Sequence, residues 1–375
     1  MDTKINFAVV HELIKEQHKA IQESNIRPNV LDITIPAVDK LIVGATSIYG
    51  RKNNTAHYGT FAAKTASDFP NDFSSYASLA SHTEKSFLEI TSSAMVELYD
   101  QAKSAHASSG GYILFIDYEN AQGRFLMTSM LKKKDGLRLN ENLVPEELIE
   151  LDLSSLYHAA RISFKRFAEY KNASESEKHE LNYLSFLSQN AGRSAAGYFV
   201  TALGCALGTA SSTATKNLII ESAKFFRDRP DLKKHRLAVK DDILRYLEKQ
   251  KDAQESAKLS EIEHIARAYF PASYDGQADD LADEFTSYLN SEAVGVPVEF
   301  PVNKSVLDKH THIFYKSENW QLKFDRDALG TGIGAEIRFI KESNQLVINN
   351  LPTDVITLIQ EALADRTEPT DSASK

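Results

Sequence analysis

Two acidic residues of one predicted strand could support metal-dependent chemistry. Asp117 and Glu119 are two residues apart, so their side chains share one face of that strand. Lys132, Lys133 and Lys134 end the strand that is predicted to pair with it. Paired carboxylates beside lysines could hold Mg²⁺ and stabilise the charge that develops at a phosphate during hydrolysis. A Mg²⁺-dependent nuclease or nucleic-acid effector is therefore one hypothesis, and solvated charge on an edge hairpin is the alternative.

A run of small residues imitates two catalytic motifs without completing either. Gly192, Ser194 and Gly197 miss the Gly-x-Ser-x-Gly spacing of a nucleophile elbow, because the second glycine falls one residue late. The two glycines are spaced as in a phosphate loop, but Tyr198 and Phe199 replace the required Lys and Ser/Thr. We therefore predict close helix packing for this run and no catalytic role.

Clusters of basic residues are candidates for phosphate binding. Lysine and arginine neutralise phosphates and release counterions, which gives affinity without reading the base sequence. The predicted DNA contacts are Lys132, Lys133, Lys134 and Arg138 at one turn, Arg161, Lys165 and Arg166 on one helix, Lys233, Lys234 and Arg236 at the start of another, and the isolated Arg193. We expect such binding to weaken steeply with salt, although each cluster could also be an ordinary solvated surface.

Charge is distributed unevenly along the chain. The chain carries a formal net charge of −9, but residues 215–251 hold eleven basic and six acidic residues. Residues 255–299 hold two basic and ten acidic residues. A polyanion would be attracted by the first region and repelled by the second. The acidic stretch 255–292 also suggests an adaptor protein that recruits a basic partner or mimics the charge of DNA.

Composition limits the class of protein. A chain of 375 residues, 42% of them hydrophobic, is long enough for two or three domains. The single cysteine, Cys205, excludes an intramolecular disulfide and is expected to be a small buried residue. The histidines form no recognisable ligand set, so we expect no metal or other cofactor. Asp2 stands where a signal peptide needs positive charge, and no apolar run reaches the length of a membrane span, so we expect a cytoplasmic protein that does not span a membrane.

Hydrophobic periodicity predicts strands and helices in the first third of the chain. Residues 5–10 and 30–35 are β-prone, and Pro36 starts a helix that ends near residue 50. Ser81 and Glu84 have the spacing of a capping box, which predicts a helix from there to about residue 105.

An antiparallel hairpin is the clearest strand signal. Residues 112–118 and 124–131 flank turn-forming residues 120–123. Asp135 and Gly136 predict a second tight reversal just beyond it.

The remaining elements define an α+β fold in which the middle is helical and the C-terminal part is β-rich. The predicted helices are 154–167, 183–203, 216–229, 232–251, 261–270, 280–289 and one after Thr353, and the predicted strands are 312–316, 320–324, 335–340 and 345–348. The predicted domains are an N-terminal α+β domain (1–170), a helical domain (171–293), a C-terminal β-rich domain (294–365) and a disordered tail (366–375).

Several short motifs resemble those of a known family. They are HELIK (11–15), GGYILFIDY (110–118), LRLNENL (137–143) and NAGRSAAGYF (190–199), and they occur in the same order along most of the chain. The chain thus resembles the bacterial nucleoid-associated protein family of the NdpA/YejK type. The resemblance implies a cytoplasmic protein on the nucleoid that binds DNA with little sequence preference and acts beside a type II topoisomerase in chromosome organisation. It carries over no catalytic residues.

These observations favour binding over catalysis. We expect a nucleoid-associated protein that binds the backbone of double-stranded DNA. We also expect a homodimer, because two copies would increase avidity. The nuclease that uses Asp117 and Glu119 and the acidic adaptor are the alternatives.

Overall fold

The computed structural model describes residues 3–49, 56–153, 156, 158–188, 197–208, 210–270 and 278–367. Its strands are β1 (Lys4–Leu13), β2 (His57–Phe61), β3 (Gly111–Asn120), β4 (Gly123–Leu131), β5 (Lys133–Leu139), β6 (Pro145–Leu151), β7 (His158–Ser163), β8 (Leu184–Ser188), β9 (Cys205–Leu207), β10 (Ser256–Lys258), β11 (Glu299–Pro301), β12 (His312–Lys316), β13 (Gln321–Asp325), β14 (Leu329–Gly330), β15 (Ile337–Ile340) and β16 (Gln345–Ile348). Its helices are α1 (Pro36–Ile48), α2 (Phe69–Ala77), α3 (Glu84–Ser104), α4 (Phe164–Asn172), α5 (Glu175–Lys178), α6 (Gly197–Ala202), α7 (Ser211–Arg227), α8 (Arg236–Ala253), α9 (Leu259–Arg267), α10 (Ala278–Leu289), α11 (Lys304–Thr311) and α12 (Thr353–Thr367). The predicted α+β class is confirmed.

A seven-stranded antiparallel sheet organises the first part of the chain, in the order β1-β3-β4-β7-β8-β2-β9. Alternate residues of β3 enter different cores. Ile113 and Phe115 join the core that includes α2 and α3, whereas Leu114 and Ile116 join the core that includes α1. Because both faces are covered, the central strands are continuous apolar runs, as β3 and the predicted β3–β4 hairpin show.

Covering of both faces also explains the main errors of secondary-structure prediction. The predicted helix 154–167 is wrong, because β7 occupies His158–Ser163 and α4 begins only at Phe164. The predicted helix 183–203 is wrong at its start, where β8 pairs with β7 and β2. Runs of alanine, serine and leucine in a strand buried on both sides lack the alternation that distinguishes a strand from a helix.

Three local predictions also need correction. Residues 30–35 form no strand, and the cap of α3 is Thr83 with Ser86, two residues later than predicted. Asp135 and Gly136 lie inside β5, so they make no reversal. The turn of the β5–β6 hairpin is instead built on the side-chain oxygen of Asn140, which accepts the N–H groups of Asn142 and Val144.

Buried polar groups tie the helices α7 to α10 to the sheet. The side chain of Asn290 exchanges two hydrogen bonds with the backbone of Ala56, at 2.6 and 3.0 Å. The Tyr58 hydroxyl donates to the Asn290 carbonyl at 2.7 Å. Next to them, Gly59 pairs with both β8 and β9, and a Cβ there would lie 1.8 Å from the Ala206 carbonyl oxygen. Only glycine fits this close approach of two strands.

The chain divides into two compact units, Met1–Lys304 and Ser305–Lys375. In the second unit the predicted strands and closing helix are confirmed by β12, β13, β15, β16 and α12. Among its described residues, Leu307 and Ile337 are the buried apolar side chains. The division into three domains and a tail stays a prediction, and the tail from position 368 is outside the described residues.

Candidate functional site

The carboxylate of Asp117 is buried and fully engaged. Its oxygens accept hydrogen bonds from Asn6 Nδ2 at 3.0 Å, from the Tyr76 hydroxyl at 2.7 Å, and from Nε and Nη2 of Arg124 at 2.9 and 2.6 Å. Glu119 is exposed. A metal ion would have to displace Arg124 from a side chain that has no solvent access. Asp117 therefore has a structural role, and the carboxylate pair predicted for a nuclease is not assembled.

No group of three or more His, Cys, Asp or Glu side chains in the described part of the chain could hold a metal ion. Cys205 is half-buried, and its side chain packs against the core that includes α2 and α3. Burial raises the pKa of this thiol, so it is not a reactive thiolate.

Two of the predicted DNA contacts, Arg161 and Arg166, form an ion triad with Glu292. Arg161 Nη2 lies 2.6 Å from one Glu292 oxygen, and Arg166 Nη1 lies 3.5 Å from the other. The Arg166 guanidinium also donates to the backbone carbonyl of Glu292. The side chains of Arg161 and Glu292 are only 12% and 8% exposed. These arginines join β7 and α4 to the segment that follows α10; Arg161 is buried there, and Arg166 is 32% exposed.

Aromatic rings complete the surroundings of Arg161. Its guanidinium carbon lies 4.5 Å from the ring centre of Tyr49 and 5.0 Å from that of Phe125. Burial alone would lower the pKa of Arg161, but the combined attraction of Glu292 and the nearby tyrosines Tyr118, Tyr49 and Tyr58 raises the pKa above its usual value. The sequence patterns did not single out Glu292. The available signal is a lone carboxylate in the otherwise uncharged run 289–298.

The basic residues of the β5–β6 hairpin are mostly engaged as well. Lys132 donates to Ser109 Oγ at 2.9 Å, and Lys133 lies 3.2 Å from Glu12 and 4.9 Å from the ring centre of Tyr112. Arg138 pairs with Glu146 on β6 at 3.2 Å. The hairpin surface is therefore mixed in charge, and Lys134 is its exposed lysine without an ion pair to any described carboxylate.

The cluster at the start of α8 differs from the others. Lys233 and Lys234 lie in a short 3₁₀ turn, and Arg236 is the first residue of α8. All three side chains are exposed, and none forms an ion pair with a carboxylate in the described ranges. Lys165, on α4, has the same character. Arg193 lies outside the described residues.

Part of the acidic region is compensated by nearby basic residues, whereas the exposed Glu255, Glu261 and Asp280 form no ion pair with a described residue. Arg267 lies 2.9 Å from both Glu263 and Asp279, and Arg229, just beyond α7, pairs with Glu284 on α10. Glu292 pairs with Arg161 and Arg166. The basic and acidic stretches of sequence therefore meet at the pair of Arg229 with Glu284, and the acidic surface is neutralised only in part.

Two of the family-like motifs interlock. Lys15 is buried, and its ammonium group donates to the carbonyls of Ala105 and Ser108 at 3.0 and 2.9 Å, just beyond α3. The Gly110 N–H donates to the Lys15 carbonyl at 2.9 Å. A Cβ on Gly110 would lie 1.8 Å from the Leu13 carbonyl oxygen, so glycine is required. The motifs HELIK and GGYILFIDY therefore secure the β1–β3 pair.

Comparisons with known proteins agree with this framework. The family model described as nucleoid-associated protein YejK matches residues 9–356. A nucleoid-associated protein of Pseudomonas entomophila is 24% identical over 353 residues, covering 94% of this chain and 97% of that protein. One from Metapseudomonas resinovorans is 23% identical over 352 residues with the same coverage, and one from Pseudomonas aeruginosa is 23% identical over 319 residues, or 85% and 86%.

The fold is α+β, and the candidate site that stands out among the described residues is a group of exposed lysines and arginines. The match over nearly the whole chain then identifies the family: the chain belongs to the nucleoid-associated protein YejK family. The predicted resemblance is confirmed. No helix in the described ranges is long and apolar enough to cross a membrane.

Proposed function

We propose that this protein binds the backbone of double-stranded DNA on the bacterial nucleoid, in the cytoplasm, with little sequence preference. The observation that carries the proposal is the exposed cluster of Lys233, Lys234 and Arg236, whose charges are not neutralised by a described carboxylate. Membership of a nucleoid-associated family supports it. Binding, and not catalysis, is the function that follows.

Phosphate contacts explain the expected behaviour. Each lysine or arginine that meets a phosphate releases a counterion, so the logarithm of the affinity falls with the logarithm of salt by about 0.9 per contact. Long, flexible side chains on an exposed turn can reach phosphates but do not have the fixed geometry that reads bases. Lys134 and Lys165 are the exposed residues that could extend the contact.

A mobility-shift series with random-sequence duplexes tests the proposal. We expect complexes at about 50 mM salt that are lost progressively towards about 200 mM. No retained DNA even at the lowest salt would contradict it. Adding Mg²⁺ separates binding from the nuclease alternative, because intact DNA supports binding and cleavage supports the nuclease.

We also propose a homodimer, since three phosphate contacts from one copy are few and a second copy would increase avidity. The β5–β6 hairpin supports this. Leu137, Leu139 and Ile149 are exposed on one of its faces. An isolated two-stranded sheet is marginally stable in water, and pairing with a second copy would bury this face. Sedimentation of Leu137→Glu/Ile149→Glu should show a monomer, whereas Lys134→Glu, on the opposite face, should not alter the mass.

A role beside a type II topoisomerase in chromosome organisation completes the proposal, and the family resemblance is what suggests it. Co-purification of the topoisomerase with this chain after nuclease treatment would distinguish a protein contact from shared DNA. Loss of that contact on replacing the exposed Glu255 and Glu261 by Gln and Asp280 by Asn, within the acidic stretch 255–292, would instead favour the acidic adaptor.

A further inference from the structure

Three aromatic side chains are exposed at the end of one hairpin in the second unit. Phe314, Tyr315 and Trp320 are 59%, 57% and 55% exposed. The hairpin is formed by β12 and β13, and the Ser317 N–H closes its turn on the Trp320 carbonyl at 2.8 Å. Trp320 is the single tryptophan of the chain. Large rings exposed together are unusual on a protein surface and indicate a ligand.

The strand register separates the hairpin into two faces. Phe314 lies directly opposite Lys323 and two residues from Lys316, so these three side chains share one face. Tyr315 lies on the other face, where its ring centre is 5.3 Å from that of Trp320. The pair of His312 with Asp325 at 2.7 Å, across the strands, confirms this register.

The lysines determine which ligand suits the rings. Lys316 and Lys323 are exposed and form no ion pair within the described residues. Of the carboxylates on the hairpin, Asp325 is engaged by His312, and Glu318 lies in the exposed turn. The centres of protein–protein interfaces are depleted in lysine, because burying an unpaired ammonium group is costly. Single-stranded nucleic acid needs both kinds of side chain, since rings stack on bases and lysines meet phosphates.

We propose that single-stranded nucleic acid wraps around the end of the β12–β13 hairpin, with Tyr315 and Trp320 stacking on unpaired bases on one face and Phe314, Lys316 and Lys323 contacting a further base and the adjoining phosphates on the other. Every base has a π-face, so the site tolerates any sequence but excludes a closed duplex, whose bases are already stacked. This site goes beyond the proposed duplex-binding cluster and does not depend on it.

Tryptophan fluorescence of the full chain tests the contact directly. Titration with an oligothymidylate of about 16 nucleotides should quench the emission of Trp320, and added salt should reverse it. An oligouridylate of equal length distinguishes DNA from RNA as the source of the strand, and quenching by either supports the site. Unchanged emission with both at low salt would overturn the proposal.

Paired variants separate stacking from structure. Tyr315→Ala/Trp320→Ala should weaken oligothymidylate binding about ten-fold or more, measured by anisotropy of a labelled strand. Tyr315→Phe/Trp320→Phe keeps both rings and should remain within about three-fold of the wild type. Wild-type affinity in the alanine variant would overturn the proposal. So would a changed sedimentation mass with unchanged affinity, because the hairpin would then be a protein interface.

One further variant distinguishes binding at the α8 cluster from binding at the β12–β13 hairpin. Lys233→Ala/Lys234→Ala/Arg236→Ala should lose duplex affinity and keep oligothymidylate quenching. If wild-type protein binds no duplex but oligothymidylate still quenches Trp320, the duplex proposal fails and the hairpin site stands.

Discussion

The arginines of the β7–α4 corner and the basic residues at the start of α8 have similar sequence signatures but different surroundings. Arg161 and Arg166 converge on the buried carboxylate of Glu292. Lys233, Lys234 and Arg236 point to solvent without a described carboxylate partner. A cluster of basic residues therefore indicates a binding surface only when the fold leaves its charges uncompensated. The first group stabilises the protein, and the second is free to meet phosphates.

The largest expected effect in this comparison comes from Arg161→Ala. It removes the 2.6 Å partner of the buried Glu292 and leaves that carboxylate only the 3.5 Å contact with Arg166, so we expect the free energy of unfolding to fall by about 3 kcal/mol, the lower end of the cost of breaking a buried ion pair. Urea unfolding measures this loss. The exposed neighbour Lys165→Ala is the control and should change stability by less than about 0.5 kcal/mol. Unchanged stability together with lost DNA affinity in Arg161→Ala would reverse the assignment of this arginine.

Asp117→Asn should have the next largest effect. The amide cannot accept all four hydrogen bonds and leaves Arg124 without its charge partner, so we expect a loss of about 2–3 kcal/mol. Glu119→Gln, on the same strand but exposed, should be nearly neutral. If Asp117→Asn were as stable as the wild type but lost a Mg²⁺-dependent cleavage activity, the nuclease hypothesis would regain support.

Two histidines that are shielded from solvent should make stability depend on pH. Burial lowers the pKa of His11 and of His158 from 6.5 to about 4, and Lys132 contributes to the shift of His158. The unfolded chain therefore takes up protons first as pH falls. The contribution of these histidines to the free energy of unfolding is fully present above about pH 6.5. It declines towards pH 4 by up to about 1.4 kcal/mol per pH unit for each histidine.

Urea unfolding at several pH values measures this decline. His158→Phe should make it shallower, because this imidazole packs beside the ring of Phe199 and its Nδ1 has no partner among described atoms. An equally steep decline in that variant would show that His158 does not contribute.

Local sequence signals predicted some features of the fold and missed others for identifiable reasons. The β3–β4 hairpin and α1 follow from apolar runs, turn residues and Pro36, which act within a few residues. The strand β7 was mistaken for a helix because its pairing partners, β4 and β8, are distant in sequence. The role of Arg161 was missed for the same reason, since Glu292 is 131 residues away. The exposed lysines and Arg236 were predicted as phosphate contacts, and this remains a prediction.

The most direct test of the central claim is a salt series of duplex affinity for two triple variants with the same change in charge. Lys233→Ala/Lys234→Ala/Arg236→Ala removes the unpaired cations. Lys224→Ala/Arg227→Ala/Arg245→Ala removes nearby surface cations that are paired with Glu221, Asp228 and Asp242. We predict that the first variant weakens binding about ten-fold or more and lowers the salt slope by about 3, whereas the second changes both only slightly. Equal losses in the two variants would show that net charge, and not the uncompensated cluster, determines binding.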